Sequence, residues 1–210
     1  MEMEKIKSYS SHGQDLFPLY IMVNKPGYWV DIGARTFYTS PFGANNTRLL
    51  YENGWQGLSL DIQDFHSEYK NLKNVHFEVV DCKNKEKIKE IFLKHNVPTI
   101  IDYLSHDIDE SKTIEGLKSI DFNKYKFRCI TIENASYIFG QQNKIKQREF
   151  LKSHGYVLAG EIIDFEDWWV HPDLVDLNRV KHIERIKEIT IPFTGTNKLE
   201  RLNRLTLNLK

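Results

Sequence analysis

The chain has 210 residues, enough for one domain with a full-sized core. Its 29 basic and 29 acidic residues cancel, which argues against a broad basic footprint for nucleic acid. No apolar run approaches the roughly 18 residues of a membrane span, and the charged start Met1-Glu2-Met3-Glu4-Lys5 has no signal-like apolar stretch, so a cytoplasmic protein is expected.

From Gln14 to Asn24, the spacing of Leu16, Leu19, Tyr20 and Val23 predicts a helix with Pro18 in its first turn. Tyr28–Gly33 is an apolar run that ends in Asp31 and Gly33, the pattern of a buried parallel strand opening into a tight turn. A long loop follows, from Thr36 to Asn46, and its length marks it as functional or mobile. Phe37, Tyr38 and Phe42 in that loop form either a lid or an ordered surface loop with its aromatics buried. Asn46-Thr47 is placed to cap a helix running to about Asn53. Gly57–Asp61 and Val75–Val80 read as strands, with a helix at Asp64–Leu72 between them. Lys85–His95 is an amphipathic helix with Ile88, Ile91 and Phe92 inward, and Pro98 bars its continuation. Thr99–Asp107 is a strand, Ile114–Ile120 a short helix and Phe127–Glu133 a further strand. Lys144–His154 is a helix ended by Gly155, and Tyr156–Ile163 with Glu166–His171 closes the domain as a hairpin. Trp168 and Trp169 then face opposite sides, one in the core and the other placed for core or homodimer packing ahead of stacking on a sugar ring. The tail from Leu177 is basic, with Arg179, Lys181, Arg185 and Lys187. The expected division is therefore a domain over 1–176 and an extension over 177–210 that packs on it or on a partner subunit. Cys82 and Cys129 lack CxxC spacing, which suits reduced core thiols.

Alternating strands and helices predict an α/β fold with a doubly wound, mainly parallel sheet. Five parallel strands followed by an antiparallel hairpin make seven, the Rossmann-like arrangement of class I methyltransferases. Acidic residues end successive strands at Asp31, Asp61, Asp81, Asp107 and Glu133. This is the sheet edge where open α/β folds bind ligands. Neither GxGxxG nor GxxxxGK[ST] is present, so the glycines that cradle a pyrophosphate are missing. An adenosyl ligand without phosphate, S-adenosylmethionine, fits that pattern. Asp61 would meet the ribose, Asp81 the adenine and the Gly33-Ala34 turn the aminocarboxylate, with Asp31, Ile62 and Cys82 beside them in the cofactor site.

On its ordered motifs the chain resembles the FkbM-type S-adenosylmethionine-dependent methyltransferases from about Tyr9 to Val170. These motifs are Ser11-His12-Gly13-Gln14-Asp15, Val30-Asp31-Ile32-Gly33-Ala34, Asn46-Thr47, Glu52-Asn53-Gly54-Trp55-Gln56-Gly57-Leu58, Asp102 through Asp109, and Ile130-Thr131-Ile132-Glu133. The resemblance implies O-methylation of sugar, glycan or polyketide hydroxyls, with Gln14, Asn46, Thr47 and Asp107 joining the cofactor site. The chain departs from the family pattern at Asp61, where Glu is usual, at His106, where Leu is usual, at Asn134, where His is frequent, and at Asp109-Glu110-Ser111, where Glu-Gly is usual.

A sugar hydroxyl needs a base or a metal to lose its proton. Asp107, Glu133 and Asn134 supply an all-oxygen set suited to Mg²⁺, similar to the metal set of catechol O-methyltransferase. The competing reading makes them turn and capping residues. His12 and His106 are the candidate bases. His106 alternates with Asp107 along its strand, which favours a packed His106. Gln14 and Asp15 either hold a ligand or cap a helix, and Trp55 reads as core. A sugar of a capsular or surface polysaccharide, a heptose or hexose free or nucleotide-linked, is the acceptor expected from the resemblance. A polyketide or lipid hydroxyl and a non-catalytic binding protein are the alternatives. An amino-base enzyme is disfavoured because no Asn/Asp-Pro-Pro-aromatic motif follows Thr99–Asp107.

Overall fold

The computed structural model describes residues 6–23, 25–38, 45–108, 113–134, 136–163, 165–183, 186, 190–191 and 205–207. Phe42, Asp109-Glu110-Ser111, Arg185 and Lys187 lie outside them.

The main sheet is built from β2 (Tyr28–Ile32), β3 (Gln56–Asp61), β4 (Val75–Val79), β5 (Ile100–His106), β6 (Lys126–Glu133), β7 (Val157–Ile162), β8 (Glu166–Val170) and β10 (Leu205–Leu207). Their spatial order is β10-β7-β8-β6-β5-β2-β3-β4. From β4 to β6 all pairs are parallel, and β8, β7 and β10 are antiparallel additions. This is the expected seven-strand arrangement with one further edge strand from the tail. A separate parallel pair joins β1 (Ile6–Lys7) to β9 (Thr190–Ile191). The chain leaves β4 at one edge and returns in β5 beside β2. The strand order therefore reverses between β2 and β5, and a crevice opens at their carboxyl ends.

Helices cover both faces. On one face, α1 (Leu16–Ile21), α2 (Arg48–Glu52), α3 (His66–Tyr69) and the start of the tail, including α8 (Leu177–Val180), pack with Trp29, Tyr103 and Trp168. On the other, α4 (Lys85–Lys94), α5 (Thr113–Ser119) and α7 (Gln141–Ser153) pack with Val30, Leu104 and Trp169. A short α6 (Ser136–Phe139) follows β6 directly. No described helix is long and apolar enough to cross a membrane.

Several expectations change. Trp168 and Trp169 do point to opposite faces, but both are fully buried because both faces are covered. Their indole N–H groups find no partner among the described residues. That omission costs about 1–3 kcal/mol each. Removing roughly 150–250 Å² from water contributes about 4–6 kcal/mol, so burial wins. Thr47 is the N-cap of α2, yet its side chain does not cap. Asn45 does that work, its Oδ1 accepting from the backbone N–H groups of Thr47 and Arg48 at 2.9 and 2.7 Å. Phe37 is core rather than lid, packed edge-on against Tyr51 and Tyr69. Trp55, Cys82 and Cys129 are buried as expected, the cysteines as free thiols.

Candidate active site at the carboxyl rim

Strand alternation sorts the rim residues. Tyr103 and Cys129 face the α1 side, so Ser105, Asp107, Thr131 and Glu133 follow them there. Leu104, Ile130 and Ile132 face the α4 side, so His106 and Asn134 follow those. In the antiparallel pairing Glu133 stands opposite Glu166, on the face of Trp168. Asp107, Thr131, Glu133 and Glu166 therefore come together, and they line a small cleft that is partly open to solvent. Ser11, His12, Gln14, Asn46 and Phe165 close it from the covering elements.

The N-terminal wall is built around Asp15, which is fully buried. Its carboxylate accepts from the Ser8 and Ser10 hydroxyls, both at 2.7 Å, and from the Tyr9 and Ser10 amides at 2.6 and 3.2 Å. It neither caps α1 with its side chain nor lines the cleft. The chain it gathers delivers Gln14, whose Oε1 accepts from the His12 amide at 2.7 Å. His12 Nδ1 meets Ser11 Oγ at 2.8 Å, and its ring packs 5.0 Å from that of Phe165.

Glu166 is a site residue that the sequence reading missed. It is 3% exposed, and burial pushes its carboxyl well above the ordinary range, with the charge of Asp107 adding to the effect. Hydrogen bonds to Thr131 and Gln14 oppose that shift. Asp31 lies beneath the same rim, 2% exposed, with Thr47 Oγ1 donating to its Oδ2 at 3.3 Å. Burial raises Asp31 to about 7, and Asp107 and Asp61 push it further up against bonds to Ser105 and Thr47. The Asn46 amide reaches Ser105 Oγ at 3.0 Å.

The turn after β2 requires a glycine at position 33 on steric grounds. Gly33 has φ +80°, and an added Cβ would stand 1.8 Å from the Asp107 carbonyl oxygen. The close approach is to the backbone just past the end of β5. The Gly33 and Ala34 amides both donate to Leu60 O, at 2.8 and 3.1 Å. Asp61 is placed by two backbone donors, Arg35 at 2.9 Å and Gln63 at 2.8 Å. Beside it Ile62 is 67% exposed, an uncovered apolar surface at the rim. Asp81 is exposed and pairs with Lys83 at 3.4 Å, while Cys82 sits below it.

His106 is also among the residues that line the cleft, but strand alternation turns its ring towards the other face. It is 1% exposed, its ring lies against Gly116 of α5, and burial lowers it to about 4, so the ring is neutral. Neither ring nitrogen has a hydrogen-bond partner among the described residues. The Mg²⁺ trio is not assembled as expected. Asp107 and Glu133 reach the cleft, but Asn134 is buried on the opposite face, its Nδ2 donating to Asp167 at 3.2 Å and its Oδ1 accepting from Ser136 at 3.2 Å. Among the described residues no three His, Cys, Asp or Glu side chains group as a metal site.

No protein-family profile and no curated protein matches the chain. Solved structures do. The MycE methyltransferase from the mycinamycin biosynthetic pathway, in complex with Mg and SAH in its second crystal form, aligns at TM-score 0.51 and 14% identity, over 90% of this chain and 52% of that one. The first crystal form gives TM-score 0.47 and 11% identity over 75% and 47%. A DUF574 family protein from Streptomyces avermitilis MA-4680 gives 0.44 and 11% over 76% and 80%. The chain thus spans about half the length of MycE. At such identity the likeness establishes the fold, which is the Rossmann-like methyltransferase fold.

Proposed function

We propose that the chain is an S-adenosylmethionine-dependent O-methyltransferase that acts on a sugar hydroxyl in surface-polysaccharide assembly. The observation that carries this reading is the acidic cleft beside the β2–β3 rim, on a sheet without phosphate-cradling glycines. Asp61 would hold the ribose, Ile62 and Asp81 the adenine, and the Gly33-Ala34 turn with Gln14, Asn46 and Thr47 the methionine end. Their fit rests on the uncovered Ile62 surface and on an Asp61 carboxylate whose direction two amides already fix. Asp31 and Cys82 support that rim from beneath. When bound, S-adenosylmethionine supplies an electrophilic methyl group.

The chain's own residues then position the acceptor and take its proton. Asp107, in the cleft, accepts the hydroxyl proton. Glu166, held protonated by its surroundings, donates a hydrogen bond, so two neighbouring carboxyls take opposite roles. His12 flanks the cleft as a second proton acceptor. MycE is crystallised with Mg, and here Asp107 and Glu133 offer two of the three expected oxygen ligands. No step is derived through a metal, because Asn134 is turned away.

A second reading, a binding protein of the same fold, draws on the amides of Gly33 and Ala34 being already engaged by Leu60. Calorimetry with S-adenosylhomocysteine tests both. Measurable binding that weakens in Asp61→Ala is expected, with Asp107→Ala binding normally and losing turnover. Heatless titration of the wild type would overturn the cofactor assignment, and normal turnover of Asp107→Ala the catalytic one.

A further inference from the structure

One edge of the main sheet is β10 and the other is β4, Val75-His76-Phe77-Glu78-Val79. Among the described residues β4 pairs only with β3. The ladder shows which backbone groups that pairing uses. Gly57 N donates to Asn74 O at 3.2 Å, and Val80 N donates to Asp61 O at 2.7 Å. In a parallel ladder this alternation runs along the whole strand, so the even-numbered residues from Asn74 to Val80 bond β3. The N–H and C=O groups of Val75, Phe77 and Val79 then point away from the sheet. Packing on both faces holds the strand in place. On the α3 side the Phe77 ring stacks on Tyr69 at 4.6 Å. On the α4 side Glu78 binds Lys94 and His95, and the His95 ring lies 4.4 Å from that of His76. No proline, glycine or register shift, the devices that commonly block an edge, interrupts these five residues.

An antiparallel partner must set outward-pointing residues against outward-pointing residues. A second copy of β4 can do so in three registers that overlap by more than one residue. In the centred register Phe77 meets its own copy on a two-fold axis, Val75 meets Val79, and His76 meets Glu78 on both sides of the axis. The two shifted registers set Glu78 against Glu78, or His76 against His76, and leave the rest of each strand unpaired. Only the centred one joins the whole strand and opposes an imidazole to a carboxylate. It also covers Val79, which is 44% exposed in the single chain. We propose that two copies of this chain associate through β4, antiparallel about an axis at Phe77, with His76 of each copy set against Glu78 of the other. The strand is its own complement, as a two-fold contact requires. This surface is separate from the acidic cleft and does not depend on the cofactor reading.

Sedimentation velocity of the full chain tests the proposal. A species of twice the chain mass is expected to predominate at about 100 µM, since a contact confined to a strand edge is a small interface. Val79→Pro removes an outward N–H that β3 does not use, so the variant should keep its thermal transition by circular dichroism and sediment as a monomer. His76→Glu sets carboxylate against carboxylate and should weaken association about tenfold. Adding Glu78→Lys to His76→Glu should restore it. A wild type that is monomeric at about 200 µM overturns the proposal. So does a folded Val79→Pro protein that still dimerises. Should Val79→Pro not fold, His76→Glu decides: unchanged association, or no recovery in the double variant, overturns the assigned pairing.

Discussion

A carboxyl group shut between two others keeps its proton, and Asp31 shows how far that reaches. Its ordinary value of 3.8 applies to the unfolded chain, and burial lifts the folded one to about 7. The folded state therefore binds the extra proton in between. The stability linked to Asp31 is complete below 3.8, declines as pH rises towards about 7, and is level above it. Asp31→Asn carries no such charge. Its Tm relative to the wild type should rise between about pH 4 and about pH 7. Parallel Tm curves would refute the assignment. Residue identity was readable at the rim where period-two alternation was applied, and unreadable where it was not. The rule correctly turned His106 away from Asp107. The same rule turns Asn134 away from Glu133, and it brings Glu166 to the rim. Glu166 opens the strand that runs antiparallel to β6, so the start of β8 shares a rim with the ends of the parallel strands. Only the pairing reveals this, and pairing is not local information.

Elements were legible where long apolar patterns set them and lost where short contacts did. The parallel strands and α4 lie within a residue or two of their expected bounds. The four-residue α3 is much shorter than the expected Asp64–Leu72 helix, and the four-residue α6 was not expected. Neither is long enough to show a helical period. What α7 does was also hidden, because its inward residues are charged. Lys144 bonds Glu161, and Arg148 grips Asp167 with two bonds of 2.7 Å while reaching Glu161 at 2.8 Å. Asp167 is fully buried, and Asn134 adds a bond to it. Removing one partner of such a pair strands the other, at about 3–5 kcal/mol. Arg148→Ala should lose that much in urea unfolding, and a loss below about 1 kcal/mol would show the pair to be solvent-screened.

At the scale of the whole molecule, the fold followed from strand and helix alternation, and the tail did not. Its basic residues left a solvated face and a packing arm both open, and Val180, Ile183 and Ile186 are fully buried in the same core as α1. Arg179 donates to Tyr20 O at 2.7 and 3.1 Å, and the Tyr20 hydroxyl donates to His182 O at 3.0 Å. Lys181 faces outward, while Val180, Ile183 and Ile186 pack inward. The α1 face also supports His12 and Gln14. A chain ending after Asp176 should therefore lose its cooperative thermal transition, as followed by circular dichroism. An unchanged transition would make the extension dispensable.

Asp15 has a consequence for how the cleft meets a ligand. The loop it binds through four hydrogen bonds is already in its final shape when the protein folds. The wall carrying His12 and Gln14 then has little freedom left to surrender on association, so affinity is not diminished by loop ordering. The recognition there is lock-and-key in character, and its selectivity is inherited from the folded state.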